Sequence, residues 1–189
     1  MMLLLAFRIG LLRRVNPSEP TFYPLDGPAS NSRIEKADNA RMEAARSVAL
    51  ATDHAGYRLK EAIKEHLLAQ GIEVIDVGTF SEEPVDYPAI IRKGCFIALE
   101  RSIPAIVFGG SGIGESIAAN KVRGIRAARC CSLDDARLCR EHNDANVMSL
   151  GGRVTPPDLA KQMVDVFLTT AFSGGRHVRR VADLEPPEV

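Results

Sequence analysis

From Ser47 onward the chain alternates short apolar, β-branched runs with longer stretches whose apolar positions recur at helical spacing. The short runs are Val48–Ala51, Glu73–Val77, Ala105–Phe108, Arg126–Cys130 and Val147–Leu150, each followed by Gly, Asp, Ser or a similar turn residue. Between them, Leu59, Ala62, Ile63 and Leu67 fall on one helical face, and Tyr87, Ile90, Ile91, Cys95 and Ala98 on another. This alternation predicts an α/β protein in which five parallel strands are joined by crossover helices. The last long helix is expected to begin at Thr155-Pro156-Pro157-Asp158, with Thr155 as its cap and proline in the first turn, and to stop at Gly174-Gly175.

An open parallel sheet binds ligands beyond the carboxyl ends of its strands. The residues there are polar: Thr52-Asp53-His54 after the first run, Gly109-Gly110-Ser111-Gly112-Ile113-Gly114-Glu115 after the third, and Gly151-Gly152-Arg153 after the fifth. These segments are predicted to share one crevice.

Upstream the pattern dissolves. From Arg13 to Ala40 the chain is rich in Pro, Ser, Asn and charge with no sustained apolar period, so residues 1–44 read as a disordered leader or a mis-assigned start, Met42 being one candidate for the true first residue, and residues 45–189 as the folded domain. The Met1–Phe7 run is too short to span a bilayer, and its resemblance to a signal core is set aside.

Twenty-four basic residues balance twenty-four acidic ones, which leaves no overall field to hold nucleic acid or an anionic membrane. A small ligand held by a local cluster of charge is expected instead. The cysteines, Cys95, Cys130, Cys131 and Cys139, show no C-x-x-C spacing and fit reduced thiols in a cytoplasm better than a disulfide frame or a metal site.

The glycine loop carries the strongest chemical signal. Four glycines in six positions between a strand and a helix let backbone N–H groups turn inward around an oxyanion. Gly109 and Gly114 have P-loop spacing, but Glu115 stands at the lysine position, where a carboxylate repels a triphosphate. The dinucleotide frame fails as well, since its third glycine falls on Glu115 or Ile117. Glu115 itself is expected in the first helical turn, where the helix dipole and free N–H groups favour its ionised form and suit it to act as a base. An isolated Glu at such a place is ordinarily a surface helix-start acid; the loop around this one shifts the reading.

Further candidates are less specific. His142 and Asn143 follow the fourth helix, where a loop histidine can titrate near neutrality or simply cap and face solvent. Asp53-His54 can orient a hydroxyl and donate to an anion, or Asp53 can cap the next helix; the two readings are comparable. Arg176 and Arg180 share a face if their stretch is helical, and with Arg153 they could grip a phosphate, although charge near a terminus is usually only solvated. His66, on the first helix, has no arginine or glycine loop to cooperate with and reads as structural.

Taken together, Asp53-His54-Ala55-Gly56, Val77-Gly78-Thr79, Asp86-Tyr87-Pro88, Gly110-Ser111-Gly112-Ile113-Gly114 with Ile117-Ala118-Ala119-Asn120-Lys121, Gly124-Ile125-Arg126-Ala127, His142-Asn143-Asp144-Ala145-Asn146 and Gly175-Arg176-His177 closely resemble the type B ribose-5-phosphate isomerases, relatives of the galactose-6-phosphate isomerase subunits. The resemblance runs from about Ser47 to Glu185. It implies a doubly wound, three-layer sandwich of the Rossmann-like or flavodoxin-like kind, a homodimer or dimer of dimers with active sites at the subunit interface, no cofactor or metal, and isomerisation through an enediolate. By the same resemblance Glu115 is the proton-transfer base, His142 assists opening of the furanose ring, Asp53 holds substrate hydroxyls, and Ser111 with the amides of Gly110, Gly112, Ile113 and Gly114 stabilises the enediolate oxygen. Arg153, Arg176 and Arg180 hold the phosphate, with His54, Asn143 and His177 as further binding residues and some groups supplied by the partner. One branch of the family has a cysteine base in the loop; here that position is Gly110, which places the chain with the glutamate branch. The rival readings are an isomerase of erythrulose 4-phosphate, allose 6-phosphate or galactose 6-phosphate, and a nucleotide-binding regulatory module.

Overall fold

The computed structural model describes residues 47–185; the expected leader and the Met42 start lie outside the described residues. Five strands form one sheet: β1 (Ser47–Thr52), β2 (Glu73–Asp76), β3 (Ala105–Gly109), β4 (Ala127–Arg129) and β5 (Val147–Gly151). All neighbouring pairs are parallel, in the order β2-β1-β3-β5-β4. The helices are α1 (Tyr57–Ala69), α2 (Tyr87–Arg101), α3 (Ile113–Asn120), α4 (Leu133–Asn143), α5 (Pro157–Thr169) and α6 (Arg176–Ala182), with a 3-10 turn at His54–Gly56.

The two-residue alternation along the strands sorts side chains onto two faces. Val48, Leu50, Ile106, Phe108, Met148 and Leu150 pack beneath α1, α4 and α5, where Leu59, Ile63, Leu67, Met163 and Phe167 complete one core. The opposite face is built of smaller residues, Ala49, Ala51, Ala105 and Val107, and meets Ile91, Cys95 and Ala98 of α2 and Ala118 and Ala119 of α3. Small side chains let α2 approach closely: a β-carbon on Gly94 would lie 2.7 Å from that of Ala51. The product is the doubly wound, three-layer α/β sandwich.

Two boundaries differ from expectation. Pro156 caps α5 in an extended conformation and Pro157 opens the helix, so Thr155 lies one residue outside. The helix ends at Thr169 rather than at Gly174-Gly175, and those glycines instead turn the chain, both with positive φ, into the separate α6. The cause is Thr170, whose extended backbone breaks the ladder while its hydroxyl donates to the Val166 carbonyl at 2.6 Å.

Candidate active site

The strand order reverses between β1 and β3, which is where open α/β sheets bind ligands between the loops that follow the strands. Asp53 closes β1. Its Oδ1 accepts from the backbone N–H groups of Ala55 at 2.9 Å and Gly56 at 3.1 Å, so the capping reading of this residue is realised. His54 follows in the 3-10 turn. The N–H of Val85 donates to its Nδ1 at 3.2 Å, which leaves Nε2 to carry the proton of the neutral ring.

The glycine loop after β3 is stitched to its neighbours through the main chain. Gly152 N–H donates to Gly109 O at 2.7 Å and Arg153 N–H to Gly110 O at 3.1 Å, which brings the loop after β5 alongside as expected. The Arg153 side chain lies over Gly110: a β-carbon there would stand 3.6 Å from its Cδ and Nη1. Gly112 takes a left-handed conformation, φ 75°, that a side chain would strain, and caps α3, which opens with Ile113 and Gly114. The Ser111 hydroxyl accepts from Ile113 N–H at 3.3 Å.

Glu115 occupies the first turn of α3 but is only 4% exposed. Its carboxyl group lies in the space that a side chain on Gly109 would take, and its Oε2 is buried without a hydrogen-bond partner. Burial raises its pKa above the ordinary carboxylate value, and the charge of Asp53 adds to the rise, while the backbone N–H groups of Glu115 and Gly112 pull it down. The net direction is upward. The N–H groups at the helix start favour the ionised form, as expected, but burial outweighs them.

The remaining candidates stand elsewhere. His142 and Asn143 form the last turn of α4 rather than a loop. Because α4 starts beyond the carboxyl end of β4 and runs back towards the start of β5, this turn lies at the opposite edge of the sheet from Glu115. Eleven helical residues span about 16 Å at 1.5 Å each. Gathered at the same edge are Arg176, His177 and Arg180 of α6, tied there by Ser173 N–H donating to Glu141 O at 3.0 Å. The His142 and His177 rings stack, centroids 4.5 Å apart and planes 7° from parallel. Desolvation lowers the pKa of His177, and the nearby His142, Arg176 and Arg180 push it further down. Arg176 and Arg180 do share a helical register, i and i+4, with both side chains exposed. The candidates thus fall into two groups within one chain: Asp53, His54, the glycine loop, Glu115 and Arg153 at one edge, His142, Asn143, Arg176, His177 and Arg180 at the other.

Among the described residues no group of three or more His, Cys, Asp or Glu side chains is placed to hold a metal ion, and no helix is long and apolar enough to cross a membrane.

The ribose/galactose isomerase family model matches residues 48–184. Ribose-5-phosphate isomerase B of Escherichia coli is 43% identical over 137 residues, 72% of this chain and 92% of its own length. The enzyme of the same name from Mycobacterium leprae is 47% identical over 141 residues, 71% and 85% of the two chains. Among solved structures, a ribose 5-phosphate isomerase from Thermotoga maritima superposes with a TM-score of 0.72 at 49% identity, covering 74% of this chain and 97% of that one. Ribose-5-phosphate isomerase B of Mycoplasma genitalium, solved with bound ribulose-5-phosphate, gives 0.70 at 35% identity, covering 73% and 93%.

The chain belongs to the ribose/galactose isomerase family. It is an enzyme of the isomerase class.

Three residues that meet this isomerase's glycine loop were not among the candidate site residues, although Tyr87 stands in the Asp86-Tyr87-Pro88 motif. Ser149 is fully buried and its hydroxyl donates to Gly112 O at 2.7 Å, fixing the left-handed turn; the signal was a lone hydroxyl inside the apolar Val147-Met148-Ser149-Leu150 run. Arg129 Nε donates to Ser111 O at 2.8 Å from the end of β4, a strand end whose polar residues the motifs did not point to. The Tyr87 hydroxyl would stand 2.8 Å from a β-carbon on Gly114 and so covers the start of α3.

Proposed function

We propose that this isomerase interconverts ribose 5-phosphate and ribulose 5-phosphate through an enediolate, with Glu115 as the proton-transfer base and without metal or organic cofactor. The observation that carries the reading is the Glu115 carboxyl, buried beside the glycine loop with one oxygen unpartnered and its pKa raised. A carboxyl held in this state takes a proton from carbon readily and gives it back, which a solvated, fully ionised carboxylate does poorly.

The opened aldose binds with C2 at Glu115. The carboxylate removes the C2 proton, electrons move onto the C1 carbonyl oxygen, and Ser111 with the loop amides stabilises the oxyanion. The proton returns at C1 while the O2 hydroxyl proton passes to O1, leaving the ketone at C2. Asp53 orients a hydroxyl through its uncommitted oxygen, and His54 presents Nε2–H to the substrate.

His142 as the ring-opening acid and base, and Arg176 and Arg180 as phosphate ligands beside Arg153, require a second copy of the chain, since they lie at the far edge of the sheet from Glu115. A homodimer supplies them symmetrically. Exposed apolar side chains support such an interface at both edges: Ile113, Ile117 and Val154 around the glycine loop, Val178 beside His177. The free thiols of all four cysteines support a reducing compartment such as the cytoplasm.

Incubation of the protein with ribose 5-phosphate and a panel of four- to six-carbon sugar phosphates, in D2O with EDTA, tests the reading. Ketose formation with deuterium entering at the carbon next to the carbonyl, fastest for the pentose and undiminished by EDTA, is expected. Preference for a hexose or tetrose phosphate would reassign the substrate, and no exchange with any sugar phosphate would reject the mechanism.

A further inference from the structure

α4 ends in a residue whose backbone asks for glycine. Asp144 caps the helix at φ 47°, ψ 43°, a left-handed conformation that costs a side-chain-bearing residue free energy and that helices commonly give to Gly. Here the carboxylate has work that glycine could not do. Its Oδ1 accepts from Arg140 Nη1 at 2.9 Å and its Oδ2 from Arg126 Nη2 at 2.9 Å, so one carboxylate bridges two guanidiniums.

Both arginines also hold the main chain of the same turn. Arg140, 6% exposed, donates from Nη1 to Ala145 O at 2.6 Å and from Nε to Thr170 O at 3.3 Å, and lies over the Phe167 ring at 5.7 Å. Arg126 donates from Nε to Asn143 O at 3.2 Å and to Asp144 O at 2.9 Å. Asn146 closes the frame, accepting from Arg126 N–H at 2.8 Å and donating to Gly124 O at 2.8 Å. The last turn of α4 is thereby pinned to α5 through Arg140 and to the entry of β4 through Arg126. That turn carries His142 and Asn143.

We infer that Asp144, with Arg126 and Arg140, is a positioning residue for His142: the charge-bridged clamp sets where the imidazole stands against a substrate held mainly by the partner subunit. The inference rests on the ring-opening role of His142 proposed above. A helix end frays by default, and an imidazole on a frayed turn samples positions an ångström or more from the ring oxygen it must reach, a displacement worth on the order of 100-fold in rate.

The test separates ring opening from proton transfer. Ribose 5-phosphate is mostly a furanose and must open before Glu115 can act, whereas ribulose 5-phosphate, with O5 esterified, has no hydroxyl to close a furanose and exchanges a C1 proton without ring chemistry. Asp144→Gly keeps the left-handed backbone and removes the carboxylate; Asp144→Asn keeps one acceptor oxygen; Arg126→Gln removes the less buried arm and guards against a variant that fails to fold. Expected are a fall of about 10- to 100-fold in turnover of ribose 5-phosphate, a much smaller fall, under about threefold, in deuterium exchange into ribulose 5-phosphate, and partial recovery in Asp144→Asn. Equal loss of both activities, or no loss in ribose 5-phosphate turnover while all variants remain folded, overturns the clamp. If the wild-type protein itself neither consumes ribose 5-phosphate nor exchanges deuterium, the isomerase mechanism falls and the clamp's role with it.

Discussion

The carboxyl of Glu115 rests where a side chain on Gly109 would stand. The last residue of β3 and the third residue of α3 therefore form one unit: the strand ends in glycine so that the helix can fold an acid back over it. Gly109→Ala places a methyl group in that volume. Since the methyl would clash with the carboxyl end of the flexible Glu115 side chain, the expected response is rotation of Glu115 out of its pocket with the fold intact. Turnover is expected to fall about 100-fold, as for loss of a positioned base, with a small change in thermal midpoint. Steady-state kinetics beside a melting curve check it, and Gly109→Ala in a Glu115→Gln background should cost little more.

Glu115→Gln separates catalysis from stability. It is expected to lose about 100-fold or more in turnover. Because burial raises the Glu115 pKa in the folded state, the folded chain binds the proton more tightly than the unfolded one; stability is favoured at low pH and declines as pH rises from the unfolded value, near 4.5, through the raised folded value. The glutamine has no such decline. Wild type and variant should match near pH 4 and diverge above it, with Glu115→Gln the more stable at pH 7; chemical denaturation across pH reads the difference. The acid limb of the wild-type rate profile should fall at the same raised value.

The fold was legible because each core strand has its own signature. Val48 and Leu50 against Ala49 and Ala51 are a two-faced strand, and the Leu59-Ile63-Leu67 spacing is a helix lying on the first of those faces. The glycine loop and its acid were legible for the same reason, as a local pattern. What sequence could not supply depends on distant residues meeting. Burial of Glu115 follows from Gly109, whose missing side chain leaves room for the carboxyl. The division of the site follows from helix length: α4 and α5 each cross the whole sheet, so residues at their ends are brought to the edge opposite the one where the helix began. Asp53 presented two comparable readings, and its contact with Ala55 and Gly56 realises the capping one through a single oxygen, which does not exclude the other.

That division predicts complementation. Glu115→Gln and His142→Gln are each expected to be inactive on ribose 5-phosphate as homodimers. In a mixed dimer, one of the two interfacial sites receives the intact Glu115 of one chain and the intact His142 of the other. Random reassociation should therefore recover about a quarter of wild-type turnover, half the dimers being mixed and half their sites whole. Coexpression with two affinity tags, or refolding from an equimolar mixture, measures it. No recovery in a mixture shown to contain mixed dimers would mean that both residues serve the site of their own chain.

Behind the crevice, Lys60 is fully buried in α1 and its ammonium binds both oxygens of Asp76 at 2.9 and 2.8 Å, Glu61 at 2.7 Å and the Thr79 carbonyl at 3.0 Å. Thr79 in turn donates to Thr52 O at 2.8 Å, next to Asp53, so this ion cluster backs the β1 end of the site. Burial pushes the Asp76 pKa up, but hydrogen bonds from Lys60, Lys64 and the Gly78 N–H outweigh it and hold the carboxyl below its usual value. The stabilisation is therefore complete above the unfolded carboxylate value, near 3.8, and is lost as pH falls through the lower folded value. Lys60→Met removes the buried cation and leaves Asp76 to Lys64 and the Gly78 N–H. The expected loss is about 3 to 5 kcal/mol at pH 7, read from denaturant midpoints. Between pH 4 and pH 2 the wild type should shed stability faster than the variant, which has less of this interaction left to lose; parallel acid curves would place the ion cluster's contribution elsewhere.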